Sequence, residues 1–372
     1  MTITQIDIYQ SPIKLKEPFV ISLGPLAYAE NVVTVIQTKE GFKGFGECSP
    51  FKTINGESME TCFVVASYLA RVLMGKNPLE IENCIKLMDA VIYGNSSIKS
   101  AFDMALFDLA AQHAGLPLYA FLGGNNQKAL FTDYTVSIRE PEEMAAKAKQ
   151  IQQAGYPEVK VKLGGSLEKD VERIRMIRDA IGYTLPIRID ANQGWDVQTA
   201  HAILKALAPY QIQHCEEPIA RWNFMALPEI RKHSPIPIMA DESCCDPHDA
   251  QRLIELEACD SLNVKLGKSG GIYKALQIID LAEKANMKVQ IGGFLESRLG
   301  FTASAHLALC SNSVVYCDFD TPLMLSEDPV SGGILYGENG RVHVPEIPGL
   351  GAWIDADYLK GWKKMSLSNL TS

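Results

Sequence analysis

The chain has 372 residues, 47% hydrophobic and 21% charged, which is enough for two globular domains with ample apolar cores. Its formal net charge of -9 leaves no basic stripe for phosphates, so we expect no nucleic acid partner. The sequence contains no run of about 18 apolar residues, so we expect no membrane span. The start, MTITQIDIYQ, lacks the basic and apolar regions of a secretory signal, so we expect a cytoplasmic protein that does not bind membranes.

The nine cysteines are odd in number and show no C-x-x-C spacing, and Cys244 and Cys245 are adjacent. This pattern favours buried free thiols in a reducing compartment over disulfides or a zinc site. The seven histidines show no metal-ligand spacing either. Any metal is therefore expected to be held by oxygen ligands.

The first third of the sequence predicts a small α+β unit. Three segments alternate as strands do, and three helical patterns follow them: residues 2–10, 31–38 and 43–47, then 57–75, 79–92 and 95–114. Two loops, 16–30 and 48–57, separate these elements, the first punctuated by proline and glycine. We interpret residues 1–125 as a capping domain, which residues 345–372 complete.

From residue 131 the pattern becomes a strand–helix repeat. The predicted strands are 131–137, 159–163, 187–190, 212–216, 236–241, 261–266, 288–292 and 314–319. The predicted helices between them are 141–155, 166–181, 196–208, 223–233, 247–258, 271–286 and 298–311. Eight strands and seven helices at a near-constant period predict a closed parallel (β/α)7β modified TIM barrel over residues 126–344. Residues 335–342 resemble a hairpin after the last strand.

Charged residues occupy the carboxyl ends of the predicted barrel strands, where the active sites of such barrels lie. In chain order they are Lys162, Asp190, Glu216, Asp241, Lys265 and Asp318. Polar residues are common at solvated strand ends, so each position alone is weak evidence. One such residue on each of five consecutive strands is a much stronger pattern.

Three adjacent carboxylates, Asp190, Glu216 and Asp241, make an all-oxygen site that suits Mg²⁺ and less specifically Mn²⁺. The alternative is ion pairing with the flanking lysines, which does not explain why three anions would lie side by side. Only one residue of Glu216-Glu217 can point inward, and the regular spacing favours Glu216. Asn192, two residues past Asp190, is a candidate to orient a metal ligand.

Lys160 and Lys162 point to the same side of a strand that should be apolar throughout. Alone, the pair favours a solvated strand end. With Lys265 on the opposite side of the barrel and the carboxylates between them, it instead predicts removal of a proton α to a carboxylate, with the divalent ion stabilising the enolate. Lys162 and Lys265 would exchange the proton, and the nearby cations, including Lys160, would help keep the basic lysine neutral.

Five short motifs carry a resemblance to the enolase superfamily: Lys160-Val161-Lys162, Asp190-Ala191-Asn192, Glu216-Glu217-Pro218, Asp241-Glu242-Ser243 and Asn263-Val264-Lys265. The chain resembles the muconate-lactonising branch along its whole length. The resemblance implies that the three carboxylates bind Mg²⁺, that Lys162 and Lys265 are the acid–base pair, and that Lys160 is an electrostatic helper. It is a poor guide to substrate, since one proton abstraction serves several reactions.

Asp318 and Asp320 form a D-x-D at the end of the eighth predicted strand, where they could hold a substrate ammonium. This motif resembles the dipeptide epimerases of the branch; the alternative is a turn whose aspartates cap backbone amides. Further candidate substrate contacts are Thr135, Phe19, Ile54 and Glu296. The cap loops look mainly apolar (Phe19, Ile21, Leu23, Phe51 and Ile54), although Lys52, Glu296 and Arg298 do not fit that description.

The sequence therefore predicts a Mg²⁺-dependent dipeptide epimerase that inverts the α-carbon of the C-terminal residue. The nearest alternatives are an o-succinylbenzoate synthase or an N-acylamino acid racemase of the same branch, which do not need the D-x-D. A noncatalytic binding protein would not need the paired lysines, and the glycine-rich stretch at Lys268 lacks a phosphate-binding fingerprint. We expect a dipeptide as the small-molecule partner and a homo-oligomer as the assembly.

Overall fold

The computed structural model describes residues 1–368. The N-terminal unit is an antiparallel sheet whose strands are Ile3–Ile21, Gly24–Thr38 and Lys43–Cys48. The strand Lys364–Ser368 pairs with the outer edge of the first strand. The helices that accompany this sheet are Met59–Leu73, Ile81–Val91 and Ser96–Ala114. Their apolar faces form a core of their own with the sheet, as the sequence pattern predicts.

Residues 16–30 are not a loop, contrary to the prediction from their prolines and glycine. The first two strands continue as a long hairpin that turns at Ser22 and Leu23. The pairing is irregular between Lys14 and Phe19, which places Pro18 in the bulge, where a residue without an N–H can be accommodated. The tip is fixed over the second domain because the Ser22 hydroxyl donates to the Asn192 carbonyl at 2.7 Å.

The second domain is an eight-stranded parallel sheet, with every strand next to its sequence neighbours. The strands are Tyr134–Val136, Val159–Lys162, Ile187–Asp190, Ile212–Glu216, Ile238–Ala240, Ser261–Lys265, Lys288–Gly292 and Val314–Cys317. At the seam between the eighth strand and the first, the Asp133 N–H donates to the Cys317 carbonyl at 3.4 Å. The predicted (β/α)7β barrel with an N-terminal cap is confirmed.

The seven helices between the strands lie within a few residues of their predicted bounds: Pro141–Gln153, Leu167–Ile181, Val197–Leu207, Leu227–His233, Pro247–Glu255, Ile272–Lys284 and Arg298–Ala308. Side-chain caps fix several starts; the Asp246 carboxylate accepts from the Asp249 N–H and Pro247 occupies the first turn. A further helix, Leu266–Ser269, follows the sixth strand directly and was not predicted.

Shorter elements connect and close the domains. The helical ones are Leu118–Phe121, Ala208–Tyr210, Arg221–Ala226, Thr321–Met324, Glu338–Gly340 and Ala356–Gly361. The strands are Leu130–Phe131, Val330–Gly332, Leu335–Tyr336, Arg341–His343 and Ala352–Ile354. The hairpin expected at 335–342 is present. The end of the segment 345–372 joins the cap sheet as far as Ser368, and residues 369–372 lie outside the described part.

The cysteines and the helices bear on two expectations from the sequence. All nine cysteines are free thiols, and seven of them are buried. Across residues 1–368, no helix combines the length and apolar character that crossing a bilayer requires.

Candidate active site

The carboxyl ends of barrel strands three to five bring three acidic side chains together. Lys162 pairs with Asp190 in register, and Asp190 pairs with Glu216, so these strands end at one level. Asp241 follows the fifth strand. Carboxylate oxygens of Asp190, Glu216 and Asp241 lie within 4.8 Å of one another, and all three residues are buried.

Neighbouring amides hold these carboxylates in place. The Asn263 amide donates to Glu216 Oε1 at 2.8 Å, and the Gln290 amide donates to Oε2 at 3.2 Å. The Asn192 N–H donates to Asp190 Oδ1 at 2.9 Å. Three buried, oriented hard oxygen donors with a net negative charge fit a divalent cation such as Mg²⁺.

Glu217 points away from this cluster and supports it from behind. It adopts a positive φ of 35°, which turns its side chain from the barrel interior. Its carboxylate accepts from the Asp241 N–H at 2.7 Å and from the Ser243 hydroxyl. Burial raises the pKa of Glu217 to about 7. Of the two adjacent glutamates, the structure thus brings Glu216 into the cluster.

Lys160, Lys162 and Lys265 contact the carboxylates. Lys160 Nζ lies 2.7 Å from Asp318 Oδ2, 2.9 Å from Glu216 and 3.2 Å from Asp190. Lys162 Nζ lies 2.6 Å from Asp190 Oδ2. On the other side, Lys265 Nζ lies 2.5 Å from Asp241 Oδ2.

Lys162 and Lys265 border the same cavity beneath the cap. An aromatic ring accompanies each of them. The ring of Phe19 is centred 5.9 Å from Lys162 Nζ, and the ring of Phe294 is centred 5.1 Å from Lys265 Nζ. The two amines therefore face one enclosed space from strands two and six.

Lys160 lowers the pKa of Lys265, in the direction expected of a neighbouring cation, although the carboxylates act more strongly in the opposite direction. Burial alone would lower the pKa of Lys265, but Asp241 and Glu216 outweigh it and raise the pKa above its usual range. Burial likewise opposes the charge of Lys160, and three surrounding carboxylates raise its pKa well above the ordinary value. Attraction to the carboxylates exceeds repulsion between the lysines. A cation bound by the same carboxylate oxygens would instead lower the pKa of these lysines.

Lys268 is a site residue that the sequence reasoning missed. It is 2% exposed, and its Nζ lies 2.6 Å from Asp241 Oδ1. It also donates to the Asn263 carbonyl at 2.9 Å and to the Asp241 carbonyl. The side chain follows the sixth strand on the short helix, one turn after Lys265, and its spacing of three residues from that lysine was the available signal.

A second missed group lies deeper in the barrel. Arg188 is 2% exposed and its guanidinium lies 2.9 Å from Asp133 Oδ2 and 2.7 Å from Glu158 Oε2. It also donates to Gln290 Oε1 at 2.7 Å. The signal was strand alternation, because Arg188 stands two residues before Asp190 and so faces the same interior.

Asp318 and Asp320 reach the same cavity as the lysines. Burial opposes ionisation of Asp318, but Lys160 and Lys162 outweigh it and hold its pKa below the usual value. Asp320 Oδ2 accepts from the Thr135 N–H at 2.6 Å. Burial and the neighbouring Asp318 raise the pKa of Asp320 to about 7. Carboxylate oxygens of Asp133, Asp318 and Asp320 lie within 4.8 Å of one another.

Most of the predicted cap contacts reach this cavity. The lining residues include Phe19, Ile21, Phe51, Ile54, Thr135 and Asn192. Leu26 lines it as well, and Leu23 does not. Among the charged loop residues, Lys52 lies 3.1 Å from Glu30, and Arg298 lies 2.5 Å from Asp328.

Glu296 is not among the residues that line this cavity, and its contact with substrate stays a prediction. Its carboxylate turns back and accepts from the Phe294 N–H at 2.6 Å. Burial raises the pKa of Glu296 to about 7. The side chain holds the loop that presents Phe294, because a buried N–H there needs an acceptor.

The fold and site define an acid–base enzyme on a barrel, with a carboxylate cation site between two lysines. The match to two family profiles identifies the group. Residues 3–123 match the mandelate racemase/muconate lactonizing enzyme N-terminal domain, and residues 143–358 match the enolase C-terminal domain-like profile. The chain therefore belongs to the enolase superfamily, which confirms the resemblance carried by the five motifs.

Characterised relatives share the whole length of the chain. The D-Ala-D/L-Ala epimerase of Cytophaga hutchinsonii is 61% identical over 368 residues, which cover 99% of this chain and 100% of the relative. A crystal structure of a dipeptide epimerase from that organism, complexed with Mg and the dipeptide D-Ala-L-Val, matches with a TM-score of 0.98 over 99% of this chain and 100% of that one.

A more distant relative, also a dipeptide epimerase, matches nearly the whole chain as well. The L-Ala-D/L-Glu epimerase of Bacillus subtilis is 36% identical and the match covers 98% of this chain and 100% of the relative. The structure of a substrate-liganded complex of that enzyme matches with a TM-score of 0.91 over 95% of this chain and 99% of that one.

Proposed function

We propose that this protein is a Mg²⁺-dependent dipeptide epimerase that inverts the α-carbon of the C-terminal residue of its substrate. One observation carries the proposal. A single cavity is bordered by Lys162 and Lys265, which come from opposite strands, and by Asp318 and Asp320. It thus combines two groups that can transfer a proton with two carboxylates that can hold an ammonium. The epimerases among its relatives support the same reading.

Asp190, Glu216 and Asp241 would hold the metal ion, with Asn263 and Gln290 orienting the central carboxylate. When bound, Mg²⁺ supplies the positive charge that stabilises a carboxylate substrate after loss of its α-proton. Lys268 pairs with Asp241 Oδ1 at 2.6 Å and would keep this carboxylate in position. Asn192 lines the cavity and orients Asp190 through its own N–H.

The two lysines at the cavity transfer the proton. In each direction, a neutral amine removes the α-proton on one face and the opposite ammonium returns a proton on the other face. The configuration of the C-terminal residue is thereby inverted. Lys160, which touches Glu216, Asp190 and Asp318, adds positive charge beneath the substrate and is not a proton carrier.

Asp318 and Asp320 would bind the free ammonium of the dipeptide through charge-assisted hydrogen bonds. Two buried carboxylates side by side are costly without a cation between them. An N-acylated amino acid lacks a free α-ammonium. The o-succinylbenzoate synthase and N-acylamino acid racemase alternatives therefore have no α-ammonium for these two carboxylates to hold.

The proposal is tested by incubating the purified protein with Mg²⁺, D₂O and a dipeptide library, and measuring α-deuteration by mass spectrometry. We expect deuterium in the C-terminal residue of at least one dipeptide, and none in matched N-acetyl dipeptides. Deuteration restricted to N-acylated amino acids would overturn the proposal and favour the racemase alternative. No deuteration of either substrate set would exclude both epimerase and racemase.

Three broader features complete the proposal. We propose that residues 1–125 and 345–372 form one domain and that residues 126–344 form the other. The pairing of Lys364–Ser368 with the first strand supports this division.

We also propose a homo-oligomer, since large apolar side chains such as Trp222 and Leu335 are 79% and 62% exposed. The nine free thiols support a reducing, cytoplasmic location. Sedimentation equilibrium and fluorescent fusions test the last two.

A further inference from the structure

We infer that the side chain of the substrate's N-terminal residue enters a second chamber beside the ammonium site, so that bulky N-terminal residues are accepted. This inference rests on the proposed function, which places the ammonium at Asp318 and Asp320. The chamber has a volume of about 460 Å³ and lies between the cap hairpin, the first barrel strand and the helix Pro141–Gln153. That volume falls within the usual range for small-molecule sites, about 300–1,000 Å³.

The chamber adjoins the ammonium site through two shared residues. Phe19 and Thr135 line both the chamber and the cavity that contains the catalytic lysines. The Thr135 N–H is the donor that fixes Asp320, at 2.6 Å. An ammonium held by Asp320 therefore places the N-terminal α-carbon, one covalent bond further on, next to the wall that separates the two spaces.

The floor of the chamber is apolar. Val136 and Met144 are 1% and 0% exposed, and both line it. Phe19, Tyr134 and Leu323 extend this surface and are partly buried. An aliphatic or aromatic side chain would remove apolar surface from water on both partners, which is favourable.

Charges of both signs form the rim. Lys16, Arg139 and Lys147 face it together with Glu17 and Glu143. Arg139 lies 3.4 Å from Glu17, Lys16 donates to the Leu323 carbonyl, and Lys147 Nζ lies 5.1 Å from the centre of the Tyr134 ring. Because no single sign of charge dominates, the chamber selects for size and apolar character rather than for a charged side chain.

The test uses the full chain with Mg²⁺ in D₂O and three substrates, Ala-Ala, Leu-Ala and Phe-Ala, each with an L or a D N-terminal residue. We expect α-deuteration of Leu-Ala and Phe-Ala in one of the two configurations. Deuteration of Ala-Ala without either bulky dipeptide would overturn the inference and leave the epimerase proposal intact. Absence of deuteration in all dipeptides would instead contradict the proposed function.

Variants then locate the side chain. Ala146→Trp and Gln150→Trp fill the chamber from exposed positions on its helix. We expect each to lower the ratio of kcat/KM for Phe-Ala to that for Ala-Ala by about tenfold, the scale of discrimination that pocket volume provides. Glu142→Trp, on the same helix but outside the chamber, should leave the ratio unchanged. Equal ratios in all three variants would overturn the inference.

Discussion

Arg188 and Asp133 form an ion pair inside the barrel, with 2.9 Å between guanidinium Nη2 and carboxylate Oδ2. Both residues are nearly inaccessible, at 2% and 1% exposed. Arg188 also donates to Gln290, which donates in turn to Glu216. The pair therefore connects the aspartates at the ammonium site with the metal-binding carboxylates, although neither residue lines the cavity.

Removing one partner of this pair should be costly. Arg188→Met leaves Asp133 buried without its cation, so we expect a loss of about 3–5 kcal/mol in the free energy of unfolding. Urea denaturation followed by circular dichroism measures it. The double variant Arg188→Met/Asp133→Asn should recover part of the loss, because it no longer buries an unpaired charge. A single variant as stable as the parent would contradict the role of this pair.

The paired lysines predict separable half-reactions. Lys162→Ala and Lys265→Ala should each abolish epimerisation, because one face then lacks its proton carrier. One single variant can still exchange the α-proton of one epimer with solvent. Following α-deuteration and chirality together, by mass spectrometry and chiral chromatography, distinguishes the two outcomes. Full epimerisation by either variant would rule out a two-base mechanism.

The carboxylate cluster predicts strict dependence on a divalent cation. Treatment with EDTA should abolish activity, and Mg²⁺ should restore it, with Mn²⁺ as a partial substitute. Asp241→Asn should weaken Mg²⁺ binding, measured by calorimetry on the folded protein. Asp249→Asn provides the matched control, since Asp249 lies outside the cluster. Equal affinities in the two variants would contradict the assigned ligand set.

The D-x-D predicts selective loss of affinity for a free amino terminus. Asp320→Asn keeps an oxygen that can accept from the Thr135 N–H but removes the charge. We expect KM for the dipeptide to rise by about tenfold or more, since a hydrogen bond to a charged group contributes about 1.5–3 kcal/mol. kcat should change less. Unchanged KM values in Asp318→Asn and Asp320→Asn would favour the synthase or racemase alternative.

Asp103 predicts how stability depends on pH. Its carboxylate accepts from the N–H groups at the start of the helix Ile272–Lys284, and burial raises its pKa from 3.8 to about 7. The folded protein therefore keeps this proton between those values while the unfolded chain loses it. Stability from this group is present below pH 3.8 and decreases as the pH rises to about 7.

Urea midpoints at pH 4.5 and pH 7 test this dependence. The parent should lose more stability over that interval than Asp103→Asn, whose side chain does not titrate. Asp280→Asn is a suitable control because it removes an exposed carboxylate that pairs with Lys284. Equal changes in the parent and in Asp103→Asn would show that another group controls the pH dependence.

The sequence predicted those parts of the site that follow from the alternation of side chains along strands and from the regular spacing of the strands. Strand alternation and regular spacing put Lys162, Asp190 and Glu216 on adjacent strand ends, and parallel register brings them together in the structure. Lys268 was missed because it follows the strand on a helix, where alternation no longer applies. The hairpin was missed because the bulge at Pro18 looks like a loop in the sequence.

No comparable sequence pattern predicts the direction in which a loop side chain points. Composition alone made Glu296 a candidate for substrate contact, and in the structure its carboxylate accepts from the Phe294 N–H. Arg188 could have been identified, since it shares a strand face with Asp190. Its three partners come from other barrel strands or from residues next to them, so only the folded sheet reveals what it binds.

The pairing of Lys364–Ser368 with the first strand has a consequence for the order of folding. Ser366 and Asp7, which share a hydrogen bond, are 359 residues apart in the chain. During synthesis the outer edge of the first strand stays uncovered until residues 364–368 have been made. Such distant contacts slow folding, and an open strand edge can recruit other chains. Truncation just before Lys364 should therefore increase aggregation during expression. The kcat of the protein that stays soluble should change less.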